Sequence, residues 1–200
     1  MKSSTSLLAL FSLVSVMVCS TNTGQGISSC KAEDRVLVDS RNVTAGGYEF
    51  QVSTKACSAA VLTSRVFQKR VYYNSCASGE TLTSTYTCVT NQGTGPLEAD
   101  CVSLSNALTA AYEGPGDPTL FTVSPQYAQE FSYGTCLWAW INQNPVGGAA
   151  LEYCYSGLNV MGFNLDQSCI VNGDTGGYVI PSNPQLVPAS LNWVFEVLHS

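Results

Sequence analysis

The chain has 200 residues, of which 45% are hydrophobic and 11% are charged, and its formal net charge at pH 7 is −6. All 8 lysines and arginines fall within the first 70 residues, so residues 71–200 contain none. A domain without cations cannot neutralise phosphates or an anionic bilayer surface, which excludes nucleic acid and membranes as partners of residues 71–200.

The N-terminus carries an apolar run, Leu7–Val18, which follows Lys2 and ends in small residues. The run is too short to span a bilayer and has the form of a secretory signal peptide. We therefore predict that residues 1–20 are removed and that the protein is secreted to the extracellular space.

Eight cysteines remain after this cleavage, and an even number in an oxidising compartment indicates disulfide bonds. They are Cys30, Cys57, Cys76, Cys88, Cys101, Cys136, Cys154 and Cys169. Spacing alone does not select their pairing. No CxxC pair occurs and the single histidine, His199, is next to the last residue, so neither a metal nor a cofactor is predicted.

Residues 21–70 are predicted to be a short proregion that ends at the dibasic pair Lys69-Arg70. Within it, Arg35–Asp39 and Tyr48–Thr54 alternate in polarity and predict strands. Kexin-type proteases cut after such a pair, and a cut there leaves an even number of cysteines on both sides. The alternative is a solvated pair on an edge strand. Asn42 begins the one standard glycosylation sequon of the chain.

Residues 71–200 are predicted to form a single α+β domain, and their clearest helix is Gly95–Ala111. Pro96 occupies a first-turn position, and Glu98 and Asp100 lie near the positive end of the helix dipole. One face of this helix is apolar. It consists of Leu97, Cys101, Leu104, Leu108 and Ala111.

The rest of the domain is predicted to consist mainly of strands. Thr119–Ser124 predicts one strand, and Phe131–Gln143 predicts a longer one that places Trp138 and Trp140 on one face and Ala139 on the other. A second helix is indicated by apolar residues at three- and four-residue spacing between Leu151 and Cys169, although Gly157 and Gly162 disfavour it. Tyr178–Ser182 and Leu191–Ser200 predict the last strands.

Catalysis is not predicted, because the sequence offers no free thiolate, no internal histidine and no nucleophile motif. A pair of carboxylates, as in glycoside hydrolysis, is the alternative. The candidates are Glu130, Glu152, Asp166 and Asp174. Each is more simply interpreted as a solvated or capping residue.

Recognition of a neutral ligand by aromatic rings and amides is the favoured interpretation of residues 71–200. Rings stack on the apolar faces of sugars, while amides bind the hydroxyl groups. The predicted ligand-binding residues are Trp138, Trp140, Asn142, Asn144, Tyr153 and Tyr155. The alternative is that these aromatic residues belong to the core. The turn Asn172–Gly177 lacks the ligand spacing of a calcium loop.

Several motifs resemble a family of secreted mushroom proteins. They are "KRVYYNSC", "TCVTNQGTGPLEADCVSLSNAL", "LFTVSP", "YGTC", "EYC" and "NWVFEVLHS". The family includes small glycan-binding lectins of αβα-sandwich type. The resemblance implies a non-catalytic fungal carbohydrate-binding protein whose partners are glycans or glycoproteins, and it leaves a homodimer open. The "ADC…YGTC" arrangement also resembles necrosis-inducing secreted effectors of fungi, the alternative function.

Overall fold

The computed structural model describes residues 30–57, 72–74, 84–90, 93–116, 118–181 and 192–200. These residues form a seven-stranded sheet, a three-stranded sheet and two α-helices, which confirms the predicted α+β class. The predicted signal peptide, the Lys69-Arg70 pair and Cys76 lie outside the described residues.

The large sheet is antiparallel throughout. Its strands, in spatial order, are β1 (Arg35–Ala45), β2 (Tyr48–Cys57), β6 (Tyr127–Tyr133), β7 (Cys136–Asn142), β10 (Trp193–His199), β9 (Gly176–Pro181) and β4 (Ser84–Val89). The small sheet contains β3 (Tyr72–Asn74), β8 (Ala150–Cys154) and β5 (Leu120–Val123). The helices are α1 (Glu98–Tyr112) and α2 (Tyr155–Leu165), and α2 continues into a π-helical turn, Asp166–Ile170.

The two sides of the large sheet differ in what covers them. One side, here called the helix face, packs against α1, α2 and the small sheet in a single core that includes Trp138, Trp140 and Phe195. The other side, here called the opposite face, carries a smaller cluster that includes Ala139 and Ile141. Both described helices therefore lie on the same side of the sheet.

The N-terminal hairpin is an integral part of the large sheet. Strand β2 pairs with β6 over six residues, from Gln51 opposite Ser132 to Ala56 opposite Tyr127. Residues 30–57, the described part of the predicted proregion, therefore form one sheet with residues of the predicted domain.

Helix α1 confirms the predicted helix, with two differences at its start. The helix begins at Glu98, so Pro96 precedes the N-cap residue Leu97 instead of occupying the first turn. Leu97, which the spacing assigns to the apolar face of the helix, is 61% exposed. The buried residues of the helix are Cys101, Leu104, Ala107, Leu108 and Tyr112.

The predicted single strand Phe131–Gln143 is wrong, because the chain reverses within it. Strands β6 and β7 form a hairpin that turns at Gly134, whose φ of 54° lies in the left-handed region that glycine favours. The alternation within β7 is confirmed. Trp138 and Trp140 belong to the core of the helix face, and Ala139 belongs to the cluster of the opposite face.

The predicted second helix is confirmed only in its C-terminal part. Its first residues form β8, and α2 begins at Tyr155. Gly162, which disfavoured the helix prediction, has a packing reason. A Cβ atom at this position would lie 2.4 Å from Cη2 of Trp138, so the glycine lets the helix approach the indole ring.

Disulfide bonds connect the elements on both sides of the sheet. Cys101–Cys136 joins α1 to β7, and Cys88–Cys169 joins β4 to the π-helical turn. Cys154 is also disulfide-bonded. Cys30–Cys57 closes the N-terminal segment on itself. This last bond agrees with the prediction that residues 21–70 hold a self-contained even number of cysteines.

Candidate functional site

The six predicted glycan-binding side chains lie in the interior of the protein. Trp138, Trp140, Asn142, Asn144, Tyr153 and Tyr155 are between 0% and 6% exposed. A sugar at the surface could not reach their rings or amides without displacing the core. The alternative interpretation, in which these residues are structural, is the one that their burial favours.

The aromatic residues of this set stack on one another. The ring centroids of Trp140 lie 5.5 Å from Tyr153 and 5.8 Å from Trp193, in nearly parallel planes. Tyr155 stacks on Tyr112 with centroids 3.8 Å apart. Burial raises the pKa of the Tyr153 hydroxyl to about 12, as expected for a group removed from water.

The two asparagines fix the loop between β7 and β8. The Asn142 amide donates to the carbonyl oxygens of Val123 at 2.9 Å and Ala149 at 3.0 Å. The Asn144 amide also donates to Ala149, and its oxygen accepts from the backbone N–H of Asn192. These bonds satisfy buried backbone groups that the loop would otherwise leave unpaired.

The four candidate carboxylates occupy different parts of the fold. Glu130 is buried on β6, and Glu152 is half-buried on β8 of the small sheet. Asp166 is buried in the π-helical turn, and Asp174 is half-buried in the turn that follows it. Glu130 is adjacent to a carboxylate that the sequence analysis did not single out, Glu196.

Glu130 and Glu196 are part of a group of four charged residues on the opposite face, here called the ionic cluster: Arg35, Lys55, Glu130 and Glu196. The two glutamates flank Ala139, one from β6 and one from β10. Arg35 donates to Glu130 Oε1 at 3.1 Å and to Glu196 Oε2 at 2.8 Å. Lys55 Nζ lies 2.7 Å from Glu130 Oε2.

Three of the four residues of the ionic cluster are shielded from solvent, whereas the side chain of Lys55 is 30% exposed. The side chains of Arg35 and both glutamates are almost fully buried, and Arg35 also donates to the carbonyl oxygen of Cys30. Burial raises the pKa of Glu196 above its ordinary value, although the neighbouring Arg35 guanidinium acts in the opposite direction. Two cations facing two carboxylates balance the charge that the fold removes from water.

Sequence patterns could not have revealed this cluster. Glu196 alternates with apolar residues in β10, which is the usual sign of a solvent-facing position. The structure contradicts that expectation because the opposite face is covered at this point. Arg35 is separated from its two partners by 95 and 161 residues.

Asp166 is a third buried carboxylate and lies outside the ionic cluster. It is 2% exposed, and within the described parts of the chain no well-aligned hydrogen bond reaches either carboxylate oxygen, although the adjacent Gln167 side chain acts to lower its pKa. Burial raises its pKa to about 6, and the carboxylate of Glu98 adds to this effect. A neutral acid at this position is less costly than an unpaired charge.

The predicted glycosylation site and a group of potential metal ligands also fall on described residues. Asn42 is exposed on the edge strand β1, where its amide donates to Glu49, so the sequon lies at the surface. Cys88, Cys169 and Asp174 bring three potential metal-ligand atoms together, but the two sulfurs are bonded to each other.

Two tyrosine rings are partly accessible at the end of the large sheet where β2 begins and β6 ends. Tyr48 and Tyr133 are half-buried, and their ring centroids lie 6.0 Å apart in an edge-to-face arrangement. Both rings pack against the core of the helix face, so their positions are fixed while part of each remains open to solvent. No sequence pattern distinguished these two from the other tyrosines.

The turn after Tyr133 is held by several polar groups. The N–H and hydroxyl of Thr135 donate to Asp100 Oδ2 at 2.8 and 2.7 Å. These hydrogen bonds lower the pKa of Asp100, which keeps the carboxylate ionised. The hydroxyl of Ser200 donates to the carbonyl oxygen of Gly134 at 2.7 Å. Tyr48, Asp100, Tyr133, Thr135 and Ser200 are here called the tyrosine edge.

Comparisons with models of known protein families, with curated proteins and with solved structures found no match. Among the described residues, no helix is both long enough and apolar enough to cross a membrane.

Proposed function

We propose that the protein is secreted and binds carbohydrate without catalysis, through the tyrosine edge. A signal-peptide pattern at the N-terminus and the disulfide bonds support an extracellular location. The observation that carries the binding proposal is the pair of fixed, partly accessible rings at Tyr48 and Tyr133.

The chemistry of this edge suits a neutral, hydroxyl-rich ligand. A tyrosine ring offers an apolar surface to the C–H groups of a sugar, and its hydroxyl can donate or accept a hydrogen bond. The ionised Asp100 and the hydroxyl oxygen of Ser200 provide acceptors at the turn after Tyr133, since the hydroxyl protons of Thr135 and Ser200 are already donated to Asp100 and Gly134. Residues 71–200 contain no cation, so an anionic ligand would meet no counter-charge from them.

A glycan array tests the proposal, followed by calorimetric titration of any ligand found. We expect Tyr133→Ala and Tyr48→Ala each to weaken binding at least about tenfold, since each removes a stacking surface worth roughly 1.4 kcal/mol or more. Tyr127→Ala is the matched control, because Tyr127 is half-buried at the other end of β6.

The fluorescence emission of the buried tryptophans must be the same in each variant as in the unmodified protein, which shows that the core is intact. Binding that survives both edge substitutions would place the site elsewhere, and the absence of binding to every glycan would reject the function. Trp140→Ala and Tyr155→Ala are poor tests, because truncating fully packed aromatics costs about 3–5 kcal/mol of stability.

A further inference from the structure

The boundary between residues 30–57 and the rest of the chain runs through the large sheet. Besides the paired backbones of β2 and β6, the amide of Gln129 donates to the carbonyl oxygen of Ser53 at 3.0 Å. The backbone N–H of Cys57 donates to the carbonyl oxygen of Gln126 at 2.9 Å. Without residues 30–57, β6 would become an edge strand with unpaired backbone groups.

The same boundary crosses the core of the helix face. Phe50 and Val52 of β2 are buried in this core, and the ring of Phe50 meets Tyr112 of α1 edge to face at 6.3 Å. Removing β2 would expose the apolar groups that these two side chains cover, which is unfavourable in proportion to the area exposed.

The ionic cluster also divides along this boundary. Arg35 and Lys55 belong to residues 30–57, while Glu130 and Glu196 belong to residues 71–200, which contain no lysine or arginine. The glutamates therefore depend on the N-terminal segment for their counter-ions. Removal of the N-terminal segment would leave two buried carboxylates without compensating charge, which is strongly destabilising.

No disulfide bond holds the segment in place. Cys30 and Cys57 are the two cysteines of residues 21–70, and they are bonded to each other. After a cut at Lys69-Arg70, the described part of the segment would be attached by non-covalent contacts such as those above.

We propose that residues 30–57 are a permanent part of the mature protein, so that cleavage after Arg70 gives a two-chain protein instead of releasing a proregion. Strand β2 completes the large sheet, and Arg35 and Lys55 act as the counter-ions of Glu130 and Glu196. The basic segment and the acidic remainder are one folding unit.

The test is performed on a variant of the full chain in which residues 65–70 are replaced by the recognition sequence of a site-specific protease. The secreted protein is cut to completion, as judged by denaturing mass spectrometry. It is then analysed by gel filtration and native mass spectrometry in about 0.15 M and about 1 M NaCl. We expect one complex with the summed mass of both fragments at both salt concentrations, because buried ion pairs are screened little.

Two results of this experiment would overturn the proposal. One is a C-terminal fragment that elutes alone and keeps the tryptophan fluorescence emission of the uncut protein. The other is a complex that separates in the higher salt alone, because that behaviour indicates attraction between the net charges of two independent units.

The role of the counter-ions is tested in the same cleavable variant. Arg35→Met combined with Lys55→Met should increase the released fraction at least tenfold after cutting. Lys31→Met combined with Arg41→Met is the matched control, since it removes the same charge from two exposed positions and should release nothing. Equal release from both double variants would reject the counter-ion role. If the Arg35→Met, Lys55→Met variant does not fold, the cleavable variant with an intact ionic cluster still tests whether residues 30–57 stay bound.

Discussion

At the scale of single residues, Asp166 carries a buried carboxylate whose ionisation is unfavourable in the folded protein. It follows the last residue of α2 and begins the π-helical turn, and neither helical segment has a basic residue in its last turn. We expect Asp166→Asn to raise the free energy of unfolding by about 1–2 kcal/mol at about pH 7.5 and to change it little at about pH 4. Chemical denaturation at both pH values measures this difference.

The direction of this pH dependence follows from the pKa of Asp166 in the folded state. That pKa, about 6, lies above the ordinary value of 3.8. The contribution of Asp166 to the free energy of unfolding is therefore fully present below about pH 3.8, where its carboxyl group is neutral, and is lost as the pH rises through 6. Asp174→Asn, at a half-buried position in the next turn, is the control and should change the free energy of unfolding at about pH 7.5 less than Asp166→Asn does. If the free energies of unfolding of Asp166→Asn and the unmodified protein differ by the same amount at both pH values, the prediction is contradicted.

The residue scale also marks a limit of sequence analysis. Alternation in β7 correctly placed Trp138 and Trp140 on one face and Ala139 on the other. It could not tell whether a face is covered, because that depends on elements far away in the chain. For this reason aromatic residues that form the core also fitted the pattern of a ligand-binding surface.

At the scale of elements, Gly162 controls how closely α2 approaches the large sheet. In an exposed helix, Gly→Ala usually stabilises by about 1 kcal/mol. Here we expect Gly162→Ala to destabilise by about 1–3 kcal/mol, because the new methyl group overlaps the indole ring of Trp138. Denaturant unfolding provides the measurement.

Two further variants separate this overlap from a general effect on the helix. Ser156→Ala, at an exposed position in the first turn of α2, should change stability by no more than about 0.5 kcal/mol. Trp138→Phe combined with Gly162→Ala should be less destabilised than the sum of the single changes, because the smaller ring leaves room for the methyl group. Additive effects would show that the indole is not the cause.

Elements with strong local signals were predictable, and those that depend on distant partners were less so. Helix α1 was recognised because its apolar spacing and the acidic residues of its first turn, Glu98 and Asp100, both indicate a helix. The start of β8 was assigned to a helix because Leu151, Tyr155 and Leu158 also have helical spacing. Pairing of β8 with β3 and β5 decides in favour of a strand, and that pairing is not encoded locally.

At the scale of the whole molecule, the uneven distribution of charge has a structural explanation. The sequence suggested a basic piece and an acidic piece because all its cations precede residue 71. In the fold, two of those cations enter the opposite face and neutralise carboxylates from the other part. An abrupt change of composition can therefore lie within one folding unit, and it does not by itself mark a domain boundary.

The three tryptophans have a practical consequence for assays. Trp138, Trp140 and Trp193 are all fully buried and lie among other aromatic rings. Their fluorescence emission therefore reports on the packing of the core and does not respond to ligand binding at the tyrosine edge. A titration followed by tryptophan fluorescence would show no change even for a ligand that binds well, whereas loss of the native packing would shift the emission wavelength.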